Sequence, residues 1–293
     1  MMFKWVGKSE DGKTITLRKL EIDSAFEPKP YPSPDLVRVG TILDVETTGL
    51  SKEVDQIIEI GIRQFHFNRE TGEVLSLGES YSAFQDPGCA LSEEITILTG
   101  ITDEMLAGQS ISWEKVNQLL TESQIVIAHN ASFDRPFIDA KSNISSEKVW
   151  GCSLNQIDWA KKGLPSQKLD VLSLYHGFFN DSHRALHDAE SLLFLLSMKD
   201  QNTHSPYLLE LITEARKPAV IVYAVSAPFE SKDLLRERRY RWNQTERVWS
   251  KRISKELLDA EVEWLSGSVY FGAFRGKTLE IPAKDQFKAR VEH

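Results

Sequence analysis

Val37–Val45 reads as a mostly apolar strand, and its end carries Asp44-Val45-Glu46 followed by Thr47-Thr48-Gly49-Leu50. Residues i and i+2 of a strand face the same side, so the Cβ atoms of the two acids would stand roughly 6–7 Å apart. Two carboxylates so placed can reach hard divalent cations together, although a D-x-E tripeptide alone is common. Further strands are expected at Gln56–Phe67 (QIIEIGIRQFHF) and Ser80–Phe84, then helices around Glu93–Leu98 and Trp113–Thr121. Ile125–Ala128 is a short apolar strand entering His129-Asn130. Phe133–Lys141 and Ala185–Met198 read as helices, the second with a broad face of Leu192, Leu193, Leu195 and Leu196. Strands first, then strands alternating with helices, predict an α/β sandwich around a mixed sheet.

Two more segments carry chemistry. Asn130-Ala-Ser-Phe-Asp134 puts an acid at a loop-to-helix junction beside Phe133. That acid is either a further ligand or a first-turn residue that favours the helix dipole. His183-Arg-Ala-Leu-His-Asp188 places an imidazole slightly more than one turn before a carboxylate, near enough to serve the same site; otherwise His183 is a surface residue. His129 and His187 lie in these segments without the same spacing. His129 is expected to orient its loop, and His187 to flank Asp188.

In this order and spacing the segments resemble the DEDD superfamily of 3′→5′ exonucleases, specifically its histidine-bearing branch, which includes the ε subunit of bacterial DNA polymerase III, ribonuclease T and the oligoribonucleases. DVETTGL, HNASFD and HRALHD match the three motifs, and QIIEIGI and ITILTGITDEML also look ε-like. The tyrosine branch would want Tyr four residues before the last acid, where this chain has Arg184. The resemblance implies a ribonuclease-H-like exonuclease fold and two Mg²⁺ or Mn²⁺ ions held by Asp44, Glu46, Asp134 and Asp188. It makes His183 the general base, an assignment that suits an imidazole near neutral pH. It also implies that Thr47, Thr48, Gly49 and Leu50, with Asn130 and Phe133, meet the terminal nucleotide; otherwise Gly49 serves the turn and Leu50 the core. The implied reaction is hydrolysis of the 3′-terminal phosphodiester to a nucleoside 5′-monophosphate, on DNA ahead of RNA. The implied partner is a strand with a free 3′ end, with a polymerase or repair protein beside it. Exoribonuclease chemistry on the same fold and a non-catalytic strand-end adaptor are the rivals.

The rest of the 293-residue chain is organised around that block. Residues 1–35 read as an N-terminal extension with a hairpin at Asp11-Gly12, flanked by Trp5, Val6, Ile15 and Leu17, and a proline-rich connector at 28–34. The exonuclease domain is expected at 36–198, a linker at 199–217 containing a short helix, and a small α+β accessory domain at 218–293. The overall charge of -8 is uneven: 17 Lys+Arg against 14 Asp+Glu from residue 199 onward leave an acidic first part and a mildly basic remainder. Arg238, Arg239 and Arg241, interleaved with Tyr240, Trp242 and Trp249, are expected to combine phosphate contacts with base stacking. The alternative makes both tryptophans core and the charges a solvated face. No membrane span or secretory signal is expected. Two cysteines, Cys89 and Cys152, predict neither a disulfide framework nor a cysteine zinc site, and point to a reducing cytoplasm.

Overall fold

The structure, a computed structural model, describes residues 7–289 except Gly12, Ser182 and Thr245. Gly7–Lys8 (β1) pairs antiparallel with Ile15–Thr16 (β2), giving the hairpin expected around Asp11; Trp5 and Val6 lie outside the described residues. The chain divides into two compact units, one comprising residues up to Ala215 with Phe287 onward, the other Arg216–Gln286.

The first unit is built on a five-stranded mixed sheet. Arg18–Lys19 (β3) precedes its strands Val37–Thr47 (β4), Ile57–Asn68 (β5), Val74–Phe84 (β6), Ile125–Ala128 (β7) and Trp150–Cys152 (β8). The spatial order is β6-β5-β4-β7-β8. β5 is antiparallel to both β4 and β6, while β4, β7 and β8 run parallel. The middle of strand β4, residues 40–43, is buried because both faces of the sheet are covered. Ile42, Phe65 and Ile127 meet Leu192, Leu193, Leu195 and Leu196 of the Ala185–Ser197 helix. On the other face Leu43, Val45 and Ile60 meet Val116, Leu119 and Leu120 of the Trp113–Glu122 helix and Ile138 of the Ala131–Asp139 helix.

Two expected boundaries move. The N-terminal stretch is not merely an extension, because Leu20 and Ile22 are buried in the first core and β3 pairs in parallel with Phe178–Phe179 (β9). Nor is 199–217 a linker. Its Tyr207–Ala215 helix buries Tyr207, Leu208, Leu211 and Ile212 in the same core, and Lys162 donates to both Asp200 and Glu210. The polar cluster there reads like a boundary in the sequence, whereas its acids are tied inward by that lysine.

The second unit is a four-stranded antiparallel sheet of Ala219–Ala224 (β10), Arg241–Asn243 (β11), Val248–Ser254 (β12) and Lys277–Ile281 (β13), in the order β11-β12-β10-β13. Val220, Val222 and Ala224 alternate onto one face and pack with Leu235, Leu265 and Val269, beside the Lys232–Glu237 and Leu258–Ser268 helices. Phe287, expected in the accessory domain, is buried in the first unit's core instead. No helix among the described residues is long and apolar enough to cross a membrane.

Candidate active site

Strand β4 delivers Asp44 and Glu46 opposite Gly61 and Glu59 of β5, and a register shift follows between Glu46 and Thr47. The strand's ladder therefore loosens where the Thr47–Leu50 turn begins. The Ala131–Asp139 helix starts one strand away, after β7, and buries Asp134 in its first turn. The Asp134 carboxylate accepts a hydrogen bond from the Val45 backbone N–H at 3.3 Å, so this acid reaches β4 between the other two. The third segment closes the group: Asp188, in the first turn of its helix, accepts from the His183 backbone N–H at 3.0 Å. One ligand atom each from Glu46, His183 and Asp188 lies within 4.8 Å of the others.

His183 holds this position with φ 64°, the left-handed region that few non-glycine residues adopt. It stands one residue before Arg184, the N-cap of the helix. Arg184, one residue on, donates through Nε and Nη2 to the Glu59 carboxylate at 3.1–3.3 Å, and the Ala185 N–H donates to the same carboxylate at 3.2 Å. Glu59 is only 1% exposed. In the sequence it reads as part of an apolar strand, although a lone acid among isoleucines is an available signal.

Gathering these acids is electrostatically costly. Burial holds Asp44 well above the usual carboxylate range, with the charges of Asp134, Asp188, Glu46 and Glu59 adding to it. Burial likewise pushes Glu46 up to about 8, reinforced by Asp188 and Glu59 and opposed by Arg184. Asp134 and Asp188 rise to about 7, mainly from burial, while backbone N–H groups pull both the other way. Positive charge brought to this group would favour the ionised carboxylates and lower these values again.

The turn after β4 is self-supporting. Thr48 Oγ1 donates to Asp55 at 3.1 Å, and Asp55 also accepts from the Ser51 N–H at 2.8 Å. A side chain on Gly49 would meet the Asp55 carboxylate at 2.6 Å, so glycine is needed for that approach. Thr47 donates to the Gly49 carbonyl. Leu50 projects from this turn at 87% exposure, which overturns its alternative assignment to the core. Asn130 is exposed at the helix cap, and Phe133 rests against Phe137 at 5.2 Å.

The other histidines do different work. His129 bonds Ser153 Oγ at 2.7 Å and the Gln167 carbonyl at 2.8 Å, and burial pushes its imidazole down to about 4. It is a neutral bracket between two loops. His187 Nδ1 lies 3.3 Å from the Asp181 carbonyl. Arg238, expected on substrate, is instead committed to the buried Glu261 at 3.2–3.3 Å and lies 4.4 Å over the Trp264 ring. Arg239, Arg241 and Trp242 are exposed in the second unit.

A mixed sheet of this order, with acids converging from β4 and two helices, defines a ribonuclease-H-like exonuclease fold. The family described as Exonuclease matches residues 41–196, more than half of the chain. This chain belongs to that family, within the DEDD superfamily of 3′→5′ exonucleases. It is 36% identical over 162 residues to the PolC-type DNA polymerase III of Listeria innocua, covering 53% of this chain and 11% of that protein. The Staphylococcus aureus PolC-type polymerase is 31% identical over 191 residues, covering 58% and 12% respectively. The chain thus spans about a tenth of these curated relatives. The zinc-bound Escherichia coli ExoI–ssDNA complex shares the fold with a TM-score of 0.53 at 14% identity, over 74% of this chain and 63% of that one.

Proposed function

We propose that this chain is a histidine-branch 3′→5′ exodeoxyribonuclease that removes one nucleotide at a time from a free 3′ end. The observation that carries this reading is the convergence of Glu46, His183 and Asp188 within 4.8 Å, with Asp44 on the same strand as Glu46 and Asp134 bonded to that strand. Asp44, Glu46, Asp134 and Asp188 are the proposed ligands. Their oxygens suit Mg²⁺ or Mn²⁺, and positive charge there would offset the burial and the mutual repulsion that push their pKa values up. Two such ions, when bound, would offset charge developing on the attacking and leaving oxygens.

The chain's own residues do the rest. His183, at the mouth of the acid group, takes a proton from the attacking water. The water oxygen bonds to the terminal phosphorus, the bond from phosphorus to the penultimate nucleotide's 3′ oxygen breaks, and a nucleoside 5′-monophosphate leaves. Glu59 accepts from the Arg184 side chain and the Ala185 N–H and so holds the backbone that follows that imidazole. Thr47, Thr48, Gly49 and exposed Leu50 form a projecting turn that, together with Asn130 and Phe133, grips the last nucleotide. DNA is favoured because the curated relatives that the chain matches are DNA polymerases, and a polymerase or repair protein is the corresponding partner.

Matched DNA and RNA oligonucleotides labelled at the 5′ end, digested with Mg²⁺, with Mn²⁺ and with EDTA, test the reading. A metal-dependent ladder shortening from the 3′ end, faster on DNA, is expected. Faster RNA digestion would move the chain to the exoribonuclease alternative, and binding without cleavage under either metal would make it an adaptor.

A further inference from the structure

We infer that the free edge of the second unit's sheet is a single-stranded nucleic-acid site, with Trp242 as the stacking surface and Arg239, Arg241 and Arg247 as the phosphate contacts. Strand β11 pairs only with β12 and forms one edge of the four-stranded sheet. Arg239 lies just before it, Arg241 begins it, and Arg247 lies in the turn that leads into β12. All three are exposed, and among the described residues none has a carboxylate partner. Other basic side chains of this unit are committed: Lys217 to Glu256, Arg236 to Asp233, Arg238 and Lys251 to Glu261, and Lys255 to Glu280. The edge thus carries three guanidinium groups without a carboxylate partner, against the single lysine, Lys277, on the opposite edge strand β13.

Charged residues commonly guard a sheet edge against unwanted pairing, and that alone would explain the arginines. It does not explain Trp242, which is 48% exposed on the same three-residue strand. An edge guarded against association gains nothing from a large open aromatic surface. Trp242 lies directly opposite Trp249 in register, with ring centroids 5.6 Å apart and planes at 63°. Trp249 in turn packs on the unit's core, so the outer ring is held steady. A fixed aromatic face on the same sheet edge as free guanidinium groups, Arg241 on the opposite face of the strand from Trp242, matches unpaired bases on a phosphate backbone that runs along that edge. A duplex would keep its bases stacked away from such a ring. Tyr240, part of the same sequence cluster, is buried in the core and takes no part; Arg247 replaces Arg238 in the set.

This inference rests on the exonuclease reading only in its choice of nucleic acid as the ligand class. The test is binding of the full chain to fluorescently labelled oligo-dT in EDTA, measured by anisotropy across a salt series. Arg239 and Arg247 have φ 67° and 50°, so Arg239→Asn and Arg247→Asn preserve that backbone, combined with Arg241→Gln. Each contacted phosphate on a single strand contributes about 0.7 to the slope of log Kd against log salt, so that slope should flatten by about 2 in the triple variant. Trp242→Ala should weaken binding about 5- to 150-fold, within the range for loss of one stacked base, whereas Trp242→Phe should retain most of the affinity. Thermal melts establish that each variant is folded, and the triple variant carries the test if Trp242→Ala is not. Unchanged affinity and slope in the folded triple variant would overturn the site and leave the edge as a guard or a protein contact. Cleavage of a short oligonucleotide with metal, assayed separately, reports on the exonuclease reading whichever way binding falls.

Discussion

Asp134 sits buried beneath the Val45 backbone with an acid on either side of it along β4, and its folded-state pKa of about 7 stands above its ordinary value. An acid whose pKa rises on folding favours the folded state while protonated, and that stability is lost as pH climbs from its unfolded value of about 4 through its folded one. Metal-free protein should therefore lose stability from this site between pH 4 and about 8, the value to which Glu46 is pushed. Asn at position 134 can still accept from Val45 without the charge. A tenfold change in an acid's proton affinity corresponds to about 1.4 kcal/mol, so even a fraction of the rise at Asp134 moves the melting temperature by several degrees. Asp134→Asn should melt higher than wild type in EDTA at pH 8.5, with the gap narrowing at pH 5.5, and should be inactive. A variant that melts no higher than wild type at pH 8.5 would show that burying the ionised Asp134 carboxylate does not cost the fold stability. His183→Asn, chosen because Asn tolerates the left-handed backbone, should cost roughly 10²–10⁴-fold in kcat. His187→Ala should cost far less, since His187 is turned toward the Asp181 carbonyl; equal losses in single-turnover assays would mean that His183 is not the base.

Gly61 decides how close the helix bearing Asp188 comes to the strand bearing Asp44. A Cβ at Gly61 would lie 2.1–2.4 Å from backbone atoms of Ala185 and Leu186, and a backbone cannot swing aside as a side chain can. Gly61→Ala should lift the start of the Ala185–Ser197 helix, break the bond from the Ala185 N–H to Glu59, and cost at least about 1–3 kcal/mol. Activity should fall further than stability does, because Asp188 and His183 move together with that helix end; wild-type kcat in a folded Gly61→Ala protein would refute the close approach. At the other end of the chain, β3 pairs with β9, and Lys19 bonds Asp181 at 2.6 Å, two residues before His183. That ion pair is exposed, and such pairs contribute at most about 1 kcal/mol. Buried Leu20 is the stronger anchor, and Leu20→Ala should cost about 2–4 kcal/mol in a denaturant titration.

Across the whole molecule, the fold boundary has a practical consequence. A truncation after Met198 removes the Tyr207–Ala215 helix with its four large buried side chains and should give insoluble or unfolded protein. A truncation after Ala215 keeps that core apart from Phe287, and should remain folded at a cost of about 3–5 kcal/mol. It should also turn over a short oligonucleotide with near-wild-type kcat, because every residue of the candidate site lies in the first unit. Equal behaviour of the two truncations in circular dichroism and turnover would place the boundary elsewhere.

Periodicity and local motif carried the strands, the helices and the three acidic segments. A buried strand must be apolar, and carboxylates at its end are legible one residue at a time. Sequence alone therefore determined the mixed α/β fold class and, through the resemblance of the three acidic segments, the exonuclease family. It did not determine the roles of Glu59, Gly61 and Arg238, nor the membership of residues 18–26 and 207–215 in the core. Each of those depends on what the chain brings alongside from distant positions: Arg184 onto Glu59, Leu186 onto Gly61, Glu261 onto Arg238. A charge reads as solvated until a partner buries it, and a glycine reads as a turn until a backbone crosses it. Only tertiary packing supplies those neighbours, because burial and pairing are properties of what surrounds a residue in space.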